Sequence, residues 1–379
     1  MNVLITGGIG FIGSNLARRI LKEGHNVTLF DNLSPQIHGQ LTTQPDLQRF
    51  GLAGAKLLIG DVCDKEAFHN ALAGQDVVVH LAAETGTGQS MYEIGRYESV
   101  NIGGTAILLD YLVNHKENQI KKLVVASSRS IYGEGKYRCA SKCGTVYPKA
   151  RSTSAMQSGQ FEVVCPTCGS DCEFVLTDES SAIHPSSFYG LTKQVQEQMI
   201  LMFAQTLGIS GFALRYQNVY GPGQSLKNPY TGILAIFSNQ ARINQPIYIF
   251  EDGEESRDFV YIDDVVEATW RCIKSETSGI AALNVGSGEK ITVSEVVKEI
   301  TNYFNSSSTV KITGEFREGD IRHNVADLTK IHELIDFKPQ WKFADGIKQF
   351  LDWASSQEIS AGKYEQSLQE MKDKGLMHG

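Results

Sequence analysis

The sequence lacks long hydrophobic runs and any excess of positive charge. Within its 379 residues no apolar stretch approaches the roughly 20 residues that a membrane-spanning helix needs. The 35 Lys and Arg residues are outnumbered by 43 Asp and Glu residues, which gives a formal net charge of −8. Because nucleic acids and anionic membranes are bound by clustered positive charge, this balance argues against both as partners. An anionic ligand must therefore be held by a few local residues.

Cysteine is scarce outside one short segment. Five of the seven cysteines lie between Cys139 and Cys172, while Cys63 and Cys272 stand alone. The N-terminal sequence has no basic region and is interrupted by glycines, so we expect no export signal and a reducing, cytoplasmic location. In such a compartment clustered cysteines bind metals more often than they form disulfides. A composition of 41% hydrophobic and 21% charged residues is that of a globular protein, and the length suggests two domains or one large α/β unit with an attached lobe.

Short apolar runs alternate with helical patterns through the first half of the chain and again after residue 185. The runs are 3–5, 27–30, 56–59, 77–80, 123–126 and 212–215. Continuous apolar strands separated by helices are typical of a parallel sheet that is covered on both faces. We therefore predict an α/β fold with a doubly wound parallel sheet and, from about residue 221, a smaller mixed lobe.

A glycine-rich turn follows the first predicted strand and opens a helix. Gly7, Gly10 and Gly13 fit the pattern G-x-x-G-x-x-G. Glycines permit a tight turn and bring the backbone close to a pyrophosphate, which the helix N-terminus attracts. Asp31 ends the second strand, where a carboxylate can accept from both ribose hydroxyls and would repel a 2′-phosphate, so we predict NAD rather than NADP. Asp61, after the third strand, could contact the adenine or cap a helix.

Tyr189 and Lys193 share one face of a predicted helix because they are four residues apart. A nearby ammonium group favours the phenolate, which can remove a proton from a substrate hydroxyl. Ser128 ends the fifth strand at the cofactor edge of the sheet, and we predict that it hydrogen-bonds to the reacting oxygen. The structural alternatives are a plain surface pair for Tyr189 and Lys193 and a cap for Ser128.

These motifs, in this order, resemble the extended short-chain dehydrogenase/reductases that modify nucleotide sugars. The motifs are T-G-G-x-G-F-I-G at 6–13, D-N-L at 31–33, G-D-V at 60–62, H-L-A-A at 80–83, N-x-x-G-T at 101–105, S-S-x-x-x-Y-G at 127–133, Y-x-x-x-K at 189–193 and R-D-F-V-Y-I-D-D at 257–264. The resemblance implies a Rossmann domain, tightly bound NAD, and the catalytic residues Ser128, Tyr189 and Lys193. In the 4,6-dehydratases of this family an Asp-Glu pair follows the position of Ser128. Here Arg129 and Ser130 stand there, so the resemblance implies a 4-epimerase.

The resemblance also implies a set of binding residues and a partner. Contacts to NAD are expected from Gly7, Gly10, Phe11, Ile12, Gly13, Asp31, Asn32, Asp61, Val62, Leu81, Ala82, Ala83, Asn101 and Lys193. Contacts to a nucleoside-diphosphate sugar are expected from Thr85, Ser127, Arg129, Asn218, Arg257, Arg317 and Asp320. Guanidinium groups suit phosphate oxygens, so Arg257 and Arg317 would hold the diphosphate. Family members usually pair through two helices, here about 90–115 and 187–206, so a homodimer is expected.

Three stretches, 84–92, 228–232 and 319–323, resemble a subgroup that includes dTDP-L-rhamnose 4-epimerases, which form dTDP-6-deoxy-L-talose. Other UDP-, CDP- or GDP-sugar 4-epimerases, a 2-epimerase acting on CDP-sugars, and a net oxidoreductase or dehydratase of the same fold are the alternatives. A non-catalytic protein that binds NAD and zinc is a further alternative, which the retained Ser128, Tyr189 and Lys193 argue against.

Residues 134–178 interrupt the α/β rhythm and contain the clustered cysteines. Cys139-x3-Cys143 and Cys165-x2-Cys168 resemble a zinc ribbon with a closed, structural tetrahedral site, in which Cys172 could replace one ligand. Free thiols and disulfides are the alternatives. Because this insert leaves from the loop after Ser128, we expect it to form a lid or wall over the sugar site. The predicted units are the NAD-binding domain (1–133 and 179–220), the insert (134–178), the nucleotide-sugar-binding lobe (mainly 221–358) and a mobile polar tail (359–379).

Overall fold

Seven parallel strands form the central sheet of the computed structural model, which describes residues 1–40, 45–226, 232–276, 279–359 and 363–378. In spatial order they are Ile280–Val285, Ser210–Tyr216, Lys122–Ser128, Val77–His80, Asn2–Thr6, Asn26–Asp31 and Lys56–Ile59. Every neighbouring pair is parallel. The predicted doubly wound parallel sheet is confirmed.

Alternate residues of the central strands enter two separate cores. Val3 and Ile5 face one core and Leu4 the other, because successive side chains of a strand point to opposite faces. Helices Phe11–Lys22 and Ile262–Lys274 contribute to the first core. Lys65–Leu72, Gly104–Asn114 and Phe188–Leu207 contribute to the second. Burial on both faces explains why these strands are almost continuously apolar.

The order of the strands reverses at Asn2–Thr6. The next two strands of the chain lie on one side of it, and Val77–His80 lies on the other. Ligands of open α/β sheets bind at such a reversal, beyond the carboxyl ends of the strands. The remaining short elements around this edge are helix Pro35–His38, the 3-10 turns Gln89–Met91 and Arg129–Tyr132, helix Ile94–Tyr97 and the π-helical turn Glu98–Gly103.

The insert is a small antiparallel sheet with one short helix. Its strands are Tyr137–Cys139, Thr145–Val146 and Cys172–Phe174, and its helix is Thr153–Gln157. The insert leaves and re-enters the Rossmann domain at adjacent points, since the backbone amide of His184 donates to the carbonyl of Ile131 at 3.0 Å. It is therefore a side branch of the loop that joins Ser128 to the helix of Tyr189.

The C-terminal lobe is built from short strands and five helices among the described residues. The strands are Asn218–Tyr220, Ile247–Ile249, Ser256–Arg257, Phe259–Tyr261, Ile291–Thr292, Val310–Ile312, Phe316–Arg317, His323–Asn324 and Met377–His378. The helices are Ile233–Arg242, Val293–Phe304, Thr329–Ile335, Phe343–Ser355 and Lys363–Asp373. Two later elements, helix Ile262–Lys274 and strand Ile280–Val285, belong to the layers of the central sheet. After residue 220 the chain therefore returns once from the lobe to the central sheet and then leaves it again.

The polar C-terminal residues, expected to be a mobile tail, fold back onto the lobe. Strand Met377–His378 pairs antiparallel with Phe316–Arg317. Met371 and Met377 are buried. Two buried methionines and one strand pairing thus hold this segment against the lobe, although its average composition is polar. Across the described part of the chain, no helix combines the length and apolar character required to cross a bilayer.

Candidate active site

A cavity of about 410 Å³ lies at the carboxyl ends of the central strands, where the strand order reverses. Most of the residues predicted to contact NAD line it. They are Gly7, Gly10, Phe11, Ile12, Gly13, Asp31, Asn32, Val62, Leu81, Ala82, Ala83 and Lys193. Residues that sequence reasoning did not single out also line it, among them His38, Gln217 and Gln224.

The glycine loop packs so closely against its own backbone that two of its positions have no room for a side chain. Gly7 has φ +66°, and a Cβ there would lie 3.0 Å from the amide nitrogen of Ala82. A Cβ on Gly13 would lie 2.3 Å from the carbonyl oxygen of Gly7. Helix Phe11–Lys22 begins directly after this turn, so its N-terminus points into the cavity rim. The loop therefore fits a dinucleotide pyrophosphate.

Asp31 is held as a carboxylate on the lining of this cavity, next to Asn32 and His38. Its Oδ2 accepts from the amide of Ile9 at 3.0 Å, and its Oδ1 accepts from the amide of Leu33 at 2.9 Å. Burial would raise the pKa of Asp31, but the His38 side chain and these two amides together bring that pKa below its usual range. A fixed negative charge here fits ribose hydroxyls and opposes a 2′-phosphate.

Two of the residues predicted to contact NAD lie beside the cavity rather than on its lining. Asn101 is fully buried; its side chain accepts from the amide of Glu84 at 2.8 Å and donates to Thr192 Oγ1 at 2.9 Å. Asp61 accepts from the side chain of Asn32 at 2.8 Å. The geometry places both as supports for residues that face the cavity, and direct contact with NAD stays a prediction for them.

A second cavity of about 360 Å³ adjoins the first on the side of the C-terminal lobe. Six of the seven predicted substrate residues line it: Thr85, Arg129, Asn218, Arg257, Arg317 and Asp320. The seventh, Ser127, lines the first cavity, and its hydroxyl donates to Glu197 at 2.6 Å. Ser367 and Met371 of the C-terminal helix also line the second cavity. These two residues could not be predicted from the sequence, because none of the family motifs lies in this helix.

Ser128 and Tyr189 line both cavities and so lie where the two meet. The helix of Tyr189 packs tightly on the loop after Ser128, because a Cβ on Gly190 would come within 2.7 Å of the carbonyl oxygen of Ser130. The Ser128 hydroxyl also caps this loop by accepting from the amide of Ser130 at 3.2 Å. Capping and a place at the reaction centre are therefore compatible.

The pKa of Tyr189 is raised by burial, and two neighbours oppose this. A hydrogen bond with the Ser128 side chain lowers it, as does the positive charge of Arg129. We expected the charge of Lys193 to do this, yet Lys193 Nζ lies 6.0 Å from the centre of the phenol ring. Lys193 instead donates to Ala126 O and Gln196 Oε1, both at 2.9 Å. Burial lowers the pKa of Lys193 to about 7, and its effect on Tyr189 stays a prediction beside that of Arg129.

Asp320 organises the arginines of the second cavity. Its Oδ1 accepts from Arg257 at 3.1 Å, and its Oδ2 accepts from Arg317 at 2.9 Å. Burial would raise the pKa of Asp320, but surrounding arginines, led by Arg317 and Arg257, hold it far below its usual range. Arg129 lies in the same field and donates to Asn218 Oδ1 at 2.8 Å. One carboxylate thus keeps several guanidinium groups together at a surface suited to a diphosphate.

The insert brings four cysteine sulfurs together away from both cavities. The Sγ atoms of Cys139, Cys143, Cys165 and Cys168 all lie within 4.8 Å of one another. Sulfurs bound tetrahedrally at about 2.3 Å from zinc are about 3.8 Å apart, so this cluster fits a closed zinc site. Cys172 lies outside the cluster. The expected lid is not seen, because no residue of 134–178 lines either of the two cavities.

A doubly wound parallel sheet with a glycine loop and a cavity at its strand reversal is typical of dinucleotide-binding α/β proteins. The profile of the NAD dependent epimerase/dehydratase family matches residues 3–155 and 163–286, so the chain belongs to that family. A dTDP-L-rhamnose 4-epimerase of Burkholderia thailandensis is 35% identical over 358 residues, which cover 94% of this chain and 95% of that protein. The expected NAD-dependent nucleotide-sugar epimerase is thereby confirmed at the level of the family.

Solved structures give the same result. The UDP-glucose 4-epimerase of Thermotoga maritima, crystallised with UDP-glucose, has a TM-score of 0.72 and 27% identity, with 93% of this chain and 98% of that chain covered. The UDP-glucose 4-epimerase of Thermus thermophilus, crystallised with NAD, has a TM-score of 0.72 and 26% identity, with 94% and 100% covered.

Proposed function

We propose that this protein inverts C4 of a nucleoside-diphosphate sugar through a transient 4-keto sugar, with dTDP-L-rhamnose as substrate and dTDP-6-deoxy-L-talose as product. The observation that carries the proposal is the position of Ser128 and Tyr189 on both cavities. A sugar carbon held between them faces the cofactor cavity on one side and the diphosphate-binding arginines on the other. The 35% identical dTDP-L-rhamnose 4-epimerase supports this choice of substrate.

Each residue at the junction has a defined task in this reaction. The Tyr189 phenolate removes the proton from the C4 hydroxyl, and Ser128 donates a hydrogen bond to that same oxygen. Bound NAD would supply the acceptor and donor for the C4 hydride. Arg257 and Arg317 hold the diphosphate while the flat 4-keto sugar turns over about its link to it. Tyr189 then returns the proton to the oxygen on the inverted carbon.

One observation separates this proposal from a dehydratase, and a second candidate epimerase remains. A dehydratase needs a carboxylic acid and base directly after Ser128, and Arg129 and Ser130 supply neither. A UDP-hexose 4-epimerase is the second candidate, favoured by the likeness to the Thermotoga maritima structure that contains UDP-glucose. Of the subgroup stretch 228–232, residues 228–231 lie outside the described residues.

The test is to incubate the purified protein, without added cofactor, with dTDP-L-rhamnose and a panel of UDP-, CDP- and GDP-sugars, and to follow each by proton NMR. A new set of C4-epimer signals that approaches equilibrium from either side is expected with dTDP-L-rhamnose. The same result with a UDP-sugar instead would select the second candidate. Unchanged spectra for the whole panel, even after NAD is added, would refute the proposed epimerase.

We propose further that the cysteine cluster holds a structural zinc ion. Both cysteine pairs are followed by a glycine with positive φ, Gly144 at +68° and Gly169 at +73°, as a tight turn around a metal ligand requires. The insert has a core of only a few buried side chains, among them Tyr137, Val146 and Val163. A module this small usually needs a metal or disulfide to be stable. Metal analysis of protein purified without chelator tests this.

A homodimer is proposed through the helices 94–114 and 188–207. Large apolar side chains on these helices are exposed, namely Ile94, Val113, Leu191 and Met202. Such side chains are usually covered by a partner when they share one surface. Light scattering of the native protein and of Met202→Glu tests this, with a dimer expected for the first and a weakened dimer for the second. The predicted division into domains and the cytoplasmic location likewise remain proposals.

A further inference from the structure

Arg151 of the insert is almost completely buried, with 4% of its side chain exposed. Its Nε donates to Glu134 Oε1 at 3.1 Å, and its two terminal nitrogens donate to Glu251 at 2.7 Å each. The same nitrogens also donate to the carbonyls of Phe161 at 3.0 Å and Asp320 at 3.0 Å. All five N–H groups of the guanidinium therefore have partners.

These partners come from two parts of the protein. Glu134, the first residue of the insert, and Phe161 belong to the insert itself, whereas Glu251 and Asp320 belong to the C-terminal lobe. The carboxylates of Glu134 and Glu251 are 0% and 3% exposed, so the pairs are shielded from solvent. Buried charged networks of this kind fix geometry, because breaking one leaves an unpaired charge in the interior.

A second arginine also joins the insert to the lobe, but this one belongs to the lobe and donates to the insert. Arg322 of the lobe donates to Glu162 of the insert at 2.9 Å and to Asp252 at 2.6 Å. Its backbone amide donates to the other oxygen of Glu134 at 2.8 Å. The segment 320–322 is thus held on both sides by groups that the insert supplies or orders.

The importance of this segment lies in Asp320. Its carboxylate pairs with Arg257 and Arg317, the proposed diphosphate ligands, while its carbonyl accepts from Arg151. The insert itself does not line the cavity. Arg151 therefore contacts Asp320, and Asp320 in turn contacts the two guanidinium groups that face the substrate.

We propose that Arg151 is a positioning residue for the diphosphate site: by holding the backbone of Asp320 it sets the placement of Arg257 and Arg317, and the insert is needed for substrate affinity rather than for covering the sugar. This inference rests on the proposed function, since it takes the ligand to be a nucleoside diphosphate. It predicts weaker binding of the diphosphate with little change in the proton transfer, because Ser128 and Tyr189 lie where the two cavities meet and are not among the residues that Arg151 contacts.

The test measures binding and turnover separately in full-length Arg151→Gln and Arg151→Lys proteins. The Kd of dTDP, measured by calorimetry, and the KM of dTDP-L-rhamnose should both rise by about tenfold, within the range for residues that act through a neighbour. The kcat and the amount of bound NAD should change less than about twofold, because uniform binding is lost without loss at the transition state. Lys149→Gln removes an exposed positive charge two residues away and serves as the matched control.

Each result has a distinct meaning. A dTDP Kd that is unchanged in a folded Arg151→Lys protein would overturn the positioning role. A parallel fall of kcat, bound NAD and Tm in both variants would also overturn it, since Arg151 would then only stabilise the fold. If the unmodified protein binds neither dTDP nor UDP, the proposed function itself fails. That result differs from a failure of the positioning role, in which the unmodified protein binds dTDP and the Arg151 variants bind it equally well. An equal effect of Lys149→Gln would assign the change to charge alone and overturn the inference.

Discussion

Replacement of Arg129 with Gln removes the positive charge that lowers the pKa of the Tyr189 phenol. Burial lowers the pKa of Arg129 to about 10, so this side chain still carries its charge at neutral pH. A close opposite charge typically changes a pKa by about 1–3 pH units. Because the hydrogen bond with Ser128 remains in the variant, we take the lower end, a rise of about one pH unit for Tyr189.

The sign follows from the role of the phenolate as base. The rate rises with pH as Tyr189 loses its proton, so a higher pKa moves this rise to higher pH. One pH unit leaves about tenfold less phenolate at any pH well below the pKa, which corresponds to about 1.4 kcal/mol. The kcat of Arg129→Gln should therefore be about tenfold lower at neutral pH and should recover in alkaline buffer.

The assay is the pH dependence of kcat under saturating substrate, which separates this effect from weaker binding. Arg129→Lys keeps the charge and should restore the midpoint of the profile. Asn218→Ser breaks the 2.8 Å bond to Arg129 but leaves the charge, so its midpoint should match that of the unmodified protein. An Arg129→Gln profile with an unchanged midpoint would refute the electrostatic argument.

Tyr189→Phe should lower kcat by about 10²–10⁴-fold with NAD still bound, because the proton acceptor is lost; full activity by NMR would exclude Tyr189 as the base. Asp31→Ser should weaken NAD binding and admit NADP, since the charge facing a 2′-phosphate is removed; an unchanged preference in fluorescence titrations would contradict the proposed ribose contact. Cys168→Ser should lose zinc and lower the Tm, whereas Cys172→Ser, which lies outside the cluster, should keep the metal; elemental analysis and calorimetry distinguish the two.

The parts of the site that could be predicted from sequence are those fixed by neighbouring residues. The glycine loop and Asp31 follow from a strand, a turn and a helix in direct succession, and the spacing of Tyr189 and Lys193 follows from one helix. The cysteine cluster follows from two short pairs. The parallel sheet then brings the glycine loop, Asp31 and the helix of Tyr189 to a common edge, whereas the cysteine cluster forms apart from that edge, in the insert.

The parts that could not be predicted depend on residues far apart in the chain. Arg151 finds its partners 17, 100 and 169 residues away, and no spacing rule connects them. The C-terminal helix reaches the second cavity through Met371, although its composition is that of an exposed segment. The effect of Arg129 on the pKa of Tyr189 was also missed, because Arg129 lies in the loop after Ser128 and helical spacing relates Tyr189 only to residues of its own helix. The predicted effect of Lys193 stays a prediction.

The adjacent exit and return of the insert have a consequence for how such a protein can vary. The backbone amide of His184 donates to the carbonyl of Ile131, and a Cβ on Gly133 would lie 2.2 Å from the carbonyl oxygen of His184, so the two ends of the insert are in direct contact. A module attached at such adjacent points can differ in size or sequence without moving Ser128 away from Tyr189. Because it also contacts the C-terminal lobe through Arg151, a change in the module can reach the arginines of the second cavity without altering the reaction centre.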